Sequence, residues 1–243
     1  MHKIIQLLGY EVMIGLRVAI TYTIACTIFT ILPKIIPTYF ARKKILNNSK
    51  ATYRSVLFEI KNCLKTLVIF ILGGSFLVAL IHTHHTNVYT NPNYYGKFYL
   101  WVSPFIFLLC YDLYFYVTHR IMHTYKVLFR LVHKVHHLSL RIRPLTAESN
   151  SFLEALIQFS GAIFFLSTIP MYSKLIQPLY YSLIVLGVYV HSGYELVPNL
   201  PILRYFFSIS TSHNLHHRTF NYNYGFVTTI WDTLFKTKYI ARN

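Results

Sequence analysis

The stretch Phe98–Val117, FYLWVSPFIFLLCYDLYFYV, holds one charged side chain, Asp112, and is followed directly by His119 and His123. A helix rises about 1.5 Å per residue, so this run measures about 30 Å and matches the hydrocarbon core of a bilayer. Four other apolar stretches accompany it, at 12–32, 66–82, 152–170 and 175–190. The first is long enough to cross, and the second is at the short end of the spanning range. The last two are separated only by Pro170 to Lys174, and they read as a tight helical hairpin that crosses the bilayer or dips into it. Of the 243 residues 54% are hydrophobic and only 12% are charged, about half the charge of a soluble domain. This composition excludes intrinsic disorder. It predicts a single all-α integral membrane domain over residues 1–243, with about four or five spanning or embedded helices.

The remaining charge is lopsided, with 23 Lys+Arg against 7 Asp+Glu and a net charge of +16 with histidine neutral. Segment 33–65 carries Lys34, Arg42, Lys43, Lys44, Lys50, Arg54, Lys61 and Lys65, and segment 118–151 carries Arg120, Lys126, Arg130, Lys134, Arg141 and Arg143. Segment 83–97 has only Lys97. The positive-inside rule then predicts that 33–65 and 118–151 are cytosolic and that 83–97 and the N-terminus face the other side. A hairpin that returns to the side it left makes 191–243 cytosolic too. Topology therefore accounts for the basic excess, and no nucleic-acid motif accompanies it. The first span begins late and lacks a small-residue cleavage site, so it reads as an anchor rather than a removed signal peptide. Cys26, Cys63 and Cys110 form no CxxC, and buried thiols are the expectation.

The chemistry lies in the histidines. His119 and His123 form an HxxxH; His133, His136 and His137 form an HxxHH; His213, His216 and His217 form a second HxxHH; and His191 stands at the end of the fifth apolar stretch. With 13 histidines in 243 residues, one HxxHH is expected by chance about 0.04 times, so two copies are a signal. All nine lie on the predicted cytosolic side, at or just beyond helix ends. Residues at i and i+4 share a helix face, so each box can offer two or three imidazoles to adjacent metals. Eight or nine imidazoles exceed the usual four ligands of a zinc site. They suit two ions of higher coordination number, and imidazole suits iron as well as zinc.

Other readings fall away. His82, His84 and His85 belong to the opposite side and read as a solvated loop. There is no HExxH for a zinc protease, no glutamate with a histidine three residues later as in ferritin-like bundles, and no GxGxxG or P-loop. A metal transporter is the rival from another class, but its ligands belong near the bilayer midplane on broken helices.

These residues resemble the fatty acid hydroxylase / sterol desaturase superfamily of membrane di-iron oxygenases. The resemblance rests on the three boxes, on Asn223-Tyr224-Gly225 after the third, and on the closing segment Trp231 to Thr237, where Lys236 stands at a position often held by glycine. His191-Ser-Gly-Tyr-Glu195 is most similar to the methylsterol oxidase branch. The motifs cover about 112–237. The resemblance implies two iron ions, dioxygen as co-substrate, and oxidation of an unactivated C–H bond of a lipid. Methyl-group hydroxylation of a sterol comes first, with sterol desaturation and fatty-acyl hydroxylation as runners-up. Electrons would come from NAD(P)H through an external b-type cytochrome or ferredoxin-like carrier, for which the basic cytosolic face offers a dock. The address in a eukaryotic cell would be the endoplasmic reticulum membrane.

Two carboxylates stand behind the expected ligands. Asp112 precedes His119 by two helical turns inside an apolar span, where a carboxylate needs a partner. It either orients His119 through the second ring nitrogen or makes a packing hydrogen bond, for instance to Tyr116. Glu195 follows His191 by four residues, where some branches carry a further histidine. It either ligates through oxygen or, as favoured here, accepts a hydrogen bond from a ligand imidazole. Asp232 is expected to hold the tail near the site.

Overall fold

The computed structural model describes residues 2–45, 52–139, 142–198 and 200–239; Lys50 and Arg141 of the two basic segments lie outside the described residues. In chain order the elements are α1 (His2–Ile35), α2 (Pro37–Ala41), α3 (Tyr53–His82), β1 (Val88–Tyr89), α4 (Gly96–Thr124), α5 (Lys126–Leu128), α6 (Lys134–His137), α7 (Phe152–Thr168), β2 (Met171–Tyr172), α8 (Ser173–Val190), α9 (Pro201–Phe206), α10 (Ser210–Thr219) and α11 (Ile230–Leu234). A π-helical turn, Phe129–His133, joins α5 to α6, and a 3-10 turn, Pro144–Glu148, precedes α7.

Four helices are long and apolar enough to cross a membrane: Met13–Ile35 of α1, α3, α4 and α8; α7 is a shorter apolar helix. Their outer faces show why they need a bilayer. Leu16, Ile20, Ile24 and Ile28 on α1, and Leu64, Val68, Leu72 and Phe76 on α3, recur every four residues and are exposed. Such continuous apolar stripes are a liability in water and a match for lipid tails. The chain is thus a multi-pass membrane protein.

The second span is longer than its hydropathy suggests. Helix α3 begins at Tyr53 rather than near residue 66, because polar contacts stabilise its first turns. Thr52 caps it by accepting from the Ser55 N–H at 3.2 Å. Glu59, buried in the extension, takes Arg143 through two prongs, Nε to Oε2 at 2.6 Å and Nη2 to Oε1 at 2.8 Å, and accepts from Ser139 Oγ at 2.8 Å. Nearby, the Glu195 N–H donates to the Lys43 carbonyl at 2.8 Å and the Ile45 N–H to the Gly193 carbonyl at 3.0 Å. The two basic segments and the tail therefore meet at one end of the bundle, as the charge argument requires.

The other end is closed by a two-residue parallel pairing of β1 with β2, Val88 opposite Met171 and Tyr89 opposite Tyr172. Asn87 reinforces it by donating from Nδ2 to the Thr168 carbonyl at 2.9 Å. Strand β2 is the tip of the α7–α8 hairpin, so the hairpin runs from the basic end to the level where α3 ends and α4 begins. The core between them is Leu77, Phe107, Leu166 and Met171.

Arg143→Ala should leave the Glu59 carboxylate buried without its cation and lower stability by about 3 kcal/mol. A thermal melt in detergent reads this loss. Arg143→Lys should recover only part, because an ammonium cannot make the two-pronged contact.

Candidate metal centre

The helices set the histidines at one level. The last two turns of α4 carry His119 and His123, α8 ends at His191, α6 with the preceding π-turn carries His133, His136 and His137, and α10 carries His213, His216 and His217. The donor nitrogens fall into two groups, each within 4.8 Å: His119, His123, His133, His137 and His216; and His136, His191, His213 and His217. The grouping follows helical phase. In each HxxHH the i and i+4 members serve one group and the middle histidine, turned to the side, serves the other. All nine imidazoles singled out in the sequence come together, and the groups abut, with the His137 and His217 ring centroids 4.5 Å apart. His82, His84 and His85 are exposed at the far end of α3.

In the second group the Nε2 atoms close a ring, His136 to His191 at 3.3 Å, His191 to His213 at 2.8 Å, His213 to His217 at 3.1 Å and His217 to His136 at 3.1 Å. In the first, His119 lies 3.0 Å from His133, and His137 lies 2.9, 3.1 and 3.2 Å from His133, His123 and His216. Nitrogens bound at about 2.1 Å to one metal and at right angles to one another are separated by about 3.0 Å. The spacing is that of a coordination shell.

Tautomers strengthen the fit. His119 Nδ1 donates to the Tyr224 carbonyl at 2.9 Å, His191 Nδ1 to the Gly187 carbonyl at 2.7 Å, His216 Nδ1 to the Tyr222 carbonyl at 2.8 Å, and His133 Nδ1 to the Glu154 carboxylate at 2.8 Å. A neutral imidazole protonated at Nδ1 has a bare lone pair at Nε2. The 3.0 Å approach of His119 to His133 is therefore lone pair to lone pair and no hydrogen bond. Extra protons are not the remedy. Burial first, then neighbouring imidazoles, hold His133, His136, His137, His213 and His217 well below histidine's ordinary value. Burial takes His191 down to about 4 against the pull of the Gly187 carbonyl. Neutral donors aimed at common points fit metal ions, with the outward N–H bonds fixing each ring.

The two carboxylates expected behind the ligands act differently. The Asp112 oxygens accept from the N–H groups of Phe226, Val227 and Thr228 at 3.2, 2.7 and 3.0 Å and from the Thr228 hydroxyl at 2.6 Å. Its partner is the loop after the third box, neither His119 nor Tyr116, because the Tyr224 carbonyl already takes the His119 N–H. Among the described residues, Glu195 makes no hydrogen bond to an imidazole. It accepts from the Tyr189 hydroxyl at 2.6 Å and from the Thr211 N–H and hydroxyl at 3.1 and 2.7 Å, and so anchors the first turn of α10. Asp232 accepts from the N–H groups of Tyr224 and Gly225 at 2.9 and 2.8 Å and from the Thr237 hydroxyl at 2.7 Å, which ties the tail to the same loop. A side chain on Gly225 would run into the Thr228 carbonyl oxygen.

Residues 104–237, more than half of the chain, match the family model described as fatty acid hydroxylase. The chain belongs to the fatty acid hydroxylase family. It is similar to the lathosterol oxidase of Homo sapiens, 29% identical over 58% of this chain and 46% of that protein. It is similar to the Delta(7)-sterol 5(6)-desaturase of Eremothecium gossypii, 26% identical over 90% of this chain and 63% of the relative. Methylsterol monooxygenase 1 of Danio rerio is 33% identical over 55% of this chain and 48% of its own. The chain thus spans about half to under two thirds of the length of these relatives. No solved structure matches it.

Sequence reasoning missed Glu154, the carboxylate that holds His133. Its signal was available: Glu154 is the one charge in the apolar run 152–170, the same anomaly that drew attention to Asp112. The family's glycine at the position of Lys236 also finds its reason, since Lys236 lies at φ 58° in the left-handed region.

Lys236→Gly should stabilise this family member by about 0.5–1 kcal/mol, read as a raised melting temperature. Glu154→Gln should weaken metal binding about 10–100-fold, measured by competition with a chelator. In the metal-stripped protein the depressed histidines fix the sign of the pH dependence. The unfolded chain, with histidines near 6.5, takes up protons first as pH falls. The histidines' contribution to stability should be level above about pH 7 and drop progressively from about 6.5 toward 4, while Glu148, raised to about 8 by burial, adds an opposite slope below that pH; melts at stepped pH would show the acid-side loss.

Proposed function

We propose that this chain is a single membrane domain that binds two iron ions and oxidises an unactivated C–H bond of a lipid, a sterol being favoured. The observation that carries this reading is the pair of abutting imidazole groups with lone pairs turned inward and N–H groups turned outward. Irons held by the nine histidines would supply the activation of dioxygen. The protein's part is positional: carbonyls of Gly187, Tyr222 and Tyr224 and the carboxylate of Glu154 hold four rings in the ligating tautomer. Burial of eight of the nine histidines keeps bulk water from the site.

Two features support the lipid. The centre sits at the ends of apolar helices, within reach of a substrate dissolved in the bilayer, and the relatives' names are those of sterol oxidases, desaturases and a sterol monooxygenase. Desaturation and hydroxylation both remain within this reading, and the family model's description makes a fatty-acyl chain the alternative substrate. Electrons would enter from NAD(P)H through a b-type cytochrome or ferredoxin-like partner docked on the basic end. The membrane would be that of the endoplasmic reticulum in a eukaryotic cell.

The purified protein should contain about two irons per chain and consume oxygen when given reductant and sterol. His191→Ala should lose metal and oxidation together, whereas Glu195→Gln should keep metal and lose part of the activity. A protein holding zinc alone, or one that consumes no oxygen, would sink the oxygenase reading. Sterol and fatty-acid profiles of cells with and without the protein decide between the substrates.

A further inference from the structure

Helices α1, α3 and α8 and the Pro144–Glu148 turn line a cavity of about 190 Å³. Its walls are mainly apolar, and among the described residues no Lys, Arg or His lines it. Tyr22 and Cys63 face it, but both are engaged, donating to the Leu145 carbonyl at 2.8 and 3.3 Å. Another polar group on the wall is not. Thr66 is 1% exposed and its hydroxyl has no hydrogen-bond partner among the described residues. The half-buried Glu148 carboxyl lines the same wall, and burial is the one influence shifting its titration. Buried polar groups are as a rule hydrogen-bonded, and each left unpaired is costly. One unpaired buried hydroxyl beside a carboxyl in an apolar chamber marks the place of a ligand's polar atom.

We propose that this cavity binds the hydroxyl end of an uncharged lipid alcohol, with Glu148 and Thr66 as the pair that recognises the hydroxyl. This rests on the lipid-oxidation reading above and narrows its substrate. A fatty acid or phospholipid head would bring an anion to a chamber with a carboxyl and no cation. A hydroxyl instead both donates and accepts, as do a threonine hydroxyl and a neutral carboxyl. Burial pushes Glu148 up to about 8, so the neutral form prevails at pH 7. The volume is below the about 300–1,000 Å³ that enclose a whole drug-sized ligand. The cavity therefore takes one end of the lipid. Ile184 on its wall stands seven residues before His191 on α8, two turns or about 10 Å along one face. A lipid held by its hydroxyl end in this chamber is thus brought to the imidazoles at carbons about 10 Å from that end.

The test is displacement of a fluorescent sterol from the purified protein in detergent by cholesterol, by the same hydrocarbon without its hydroxyl (cholest-5-ene) and by palmitic acid. Cholesterol should compete at least about tenfold better than either. Glu148→Leu and Thr66→Val should bring the cholesterol-to-cholestene ratio within about threefold at unchanged iron content, while Glu148→Gln keeps it. Equal competition by all three lipids in the wild type, or an unchanged ratio in Glu148→Leu, would overturn the proposal. Should that variant not fold, the wild-type ratios decide. Binding is read without turnover, so the two readings fail separately. Oxygen consumption without the ratios removes this site alone, and the ratios without oxygen consumption remove the oxygenase alone.

Discussion

Bare nitrogen lone pairs held at contact distance are the constraint on which this structure depends. His119 and His133 face each other at 3.0 Å with their protons committed outward, and His137 and His216 crowd the same point. Without a cation this arrangement is repulsive, and burial denies it the protons that would relieve it. Something outside the rings must hold them in place. Three of the four identified holders are backbone carbonyls, which cannot titrate, and the fourth is the buried carboxyl of Glu154. The rigid part of the centre is therefore its periphery.

That periphery is organised around one loop. The Tyr224 carbonyl orients His119 only if residues 222–229 keep their path, and two buried aspartates fix that path from opposite sides. Asp232 gathers the N–H groups of Tyr224 and Gly225, and Asp112 gathers those of Phe226, Val227 and Thr228. Five consecutive backbone donors thus end on two carboxylates. Asn223 completes the loop from a left-handed backbone conformation, with its side-chain Nδ2 donating to the Ser212 and Tyr239 carbonyls at 3.2 and 3.1 Å. The motif Asn223-Tyr224-Gly225 is accordingly three separate requirements: a residue tolerant of positive φ, a carbonyl aimed at a ligand ring, and the absence of a side chain.

How much of this was legible in the sequence depends on the range of the interaction concerned. Helices, their apolar faces and the nine histidines are local patterns, readable from spacing, and the shared end of the basic segments follows from charge alone. The division into groups of five and four was only half visible. The i, i+4 pairs are fixed by helical geometry, whereas the partner each pair meets depends on packing between α4, α6, α8 and α10. Asp112 is read in the sequence as needing a partner and Glu195 as an acceptor from a ligand imidazole, but Asp112 meets N–H groups 114 to 116 residues away, and Glu195 meets Tyr189 and Thr211, 6 and 16 residues away. Spacing along one helix pointed Asp112 at His119, and tertiary structure gave it a loop instead. The start of α3 was misjudged for a related reason. Hydropathy discounts Glu59 and its polar neighbours, while the fold neutralises Glu59 with Arg143.

Helix polarity supplies a further reason why these residues, at these positions, suit cations. His123 lies in the last turn of α4, His136 and His137 in the last turn of α6, His191 at the C-cap of α8, and His216 and His217 in the last turn of α10. Each helix thus turns its C-terminal end, where unpaired carbonyls concentrate partial negative charge, toward the imidazole groups. In a chain with a net charge of +16, a pocket of neutral ligands would otherwise be a poor place for metal cations. Four converging helix ends offset that field locally. Arg42, Lys44, Arg54, Lys126, Arg130 and Lys134 are exposed at the same end, where they act at longer range on an acidic partner. One bundle end can then be attractive to metals inside and to anions outside, because the two effects operate over different distances: helix ends within about a turn, surface charge over about a Debye length.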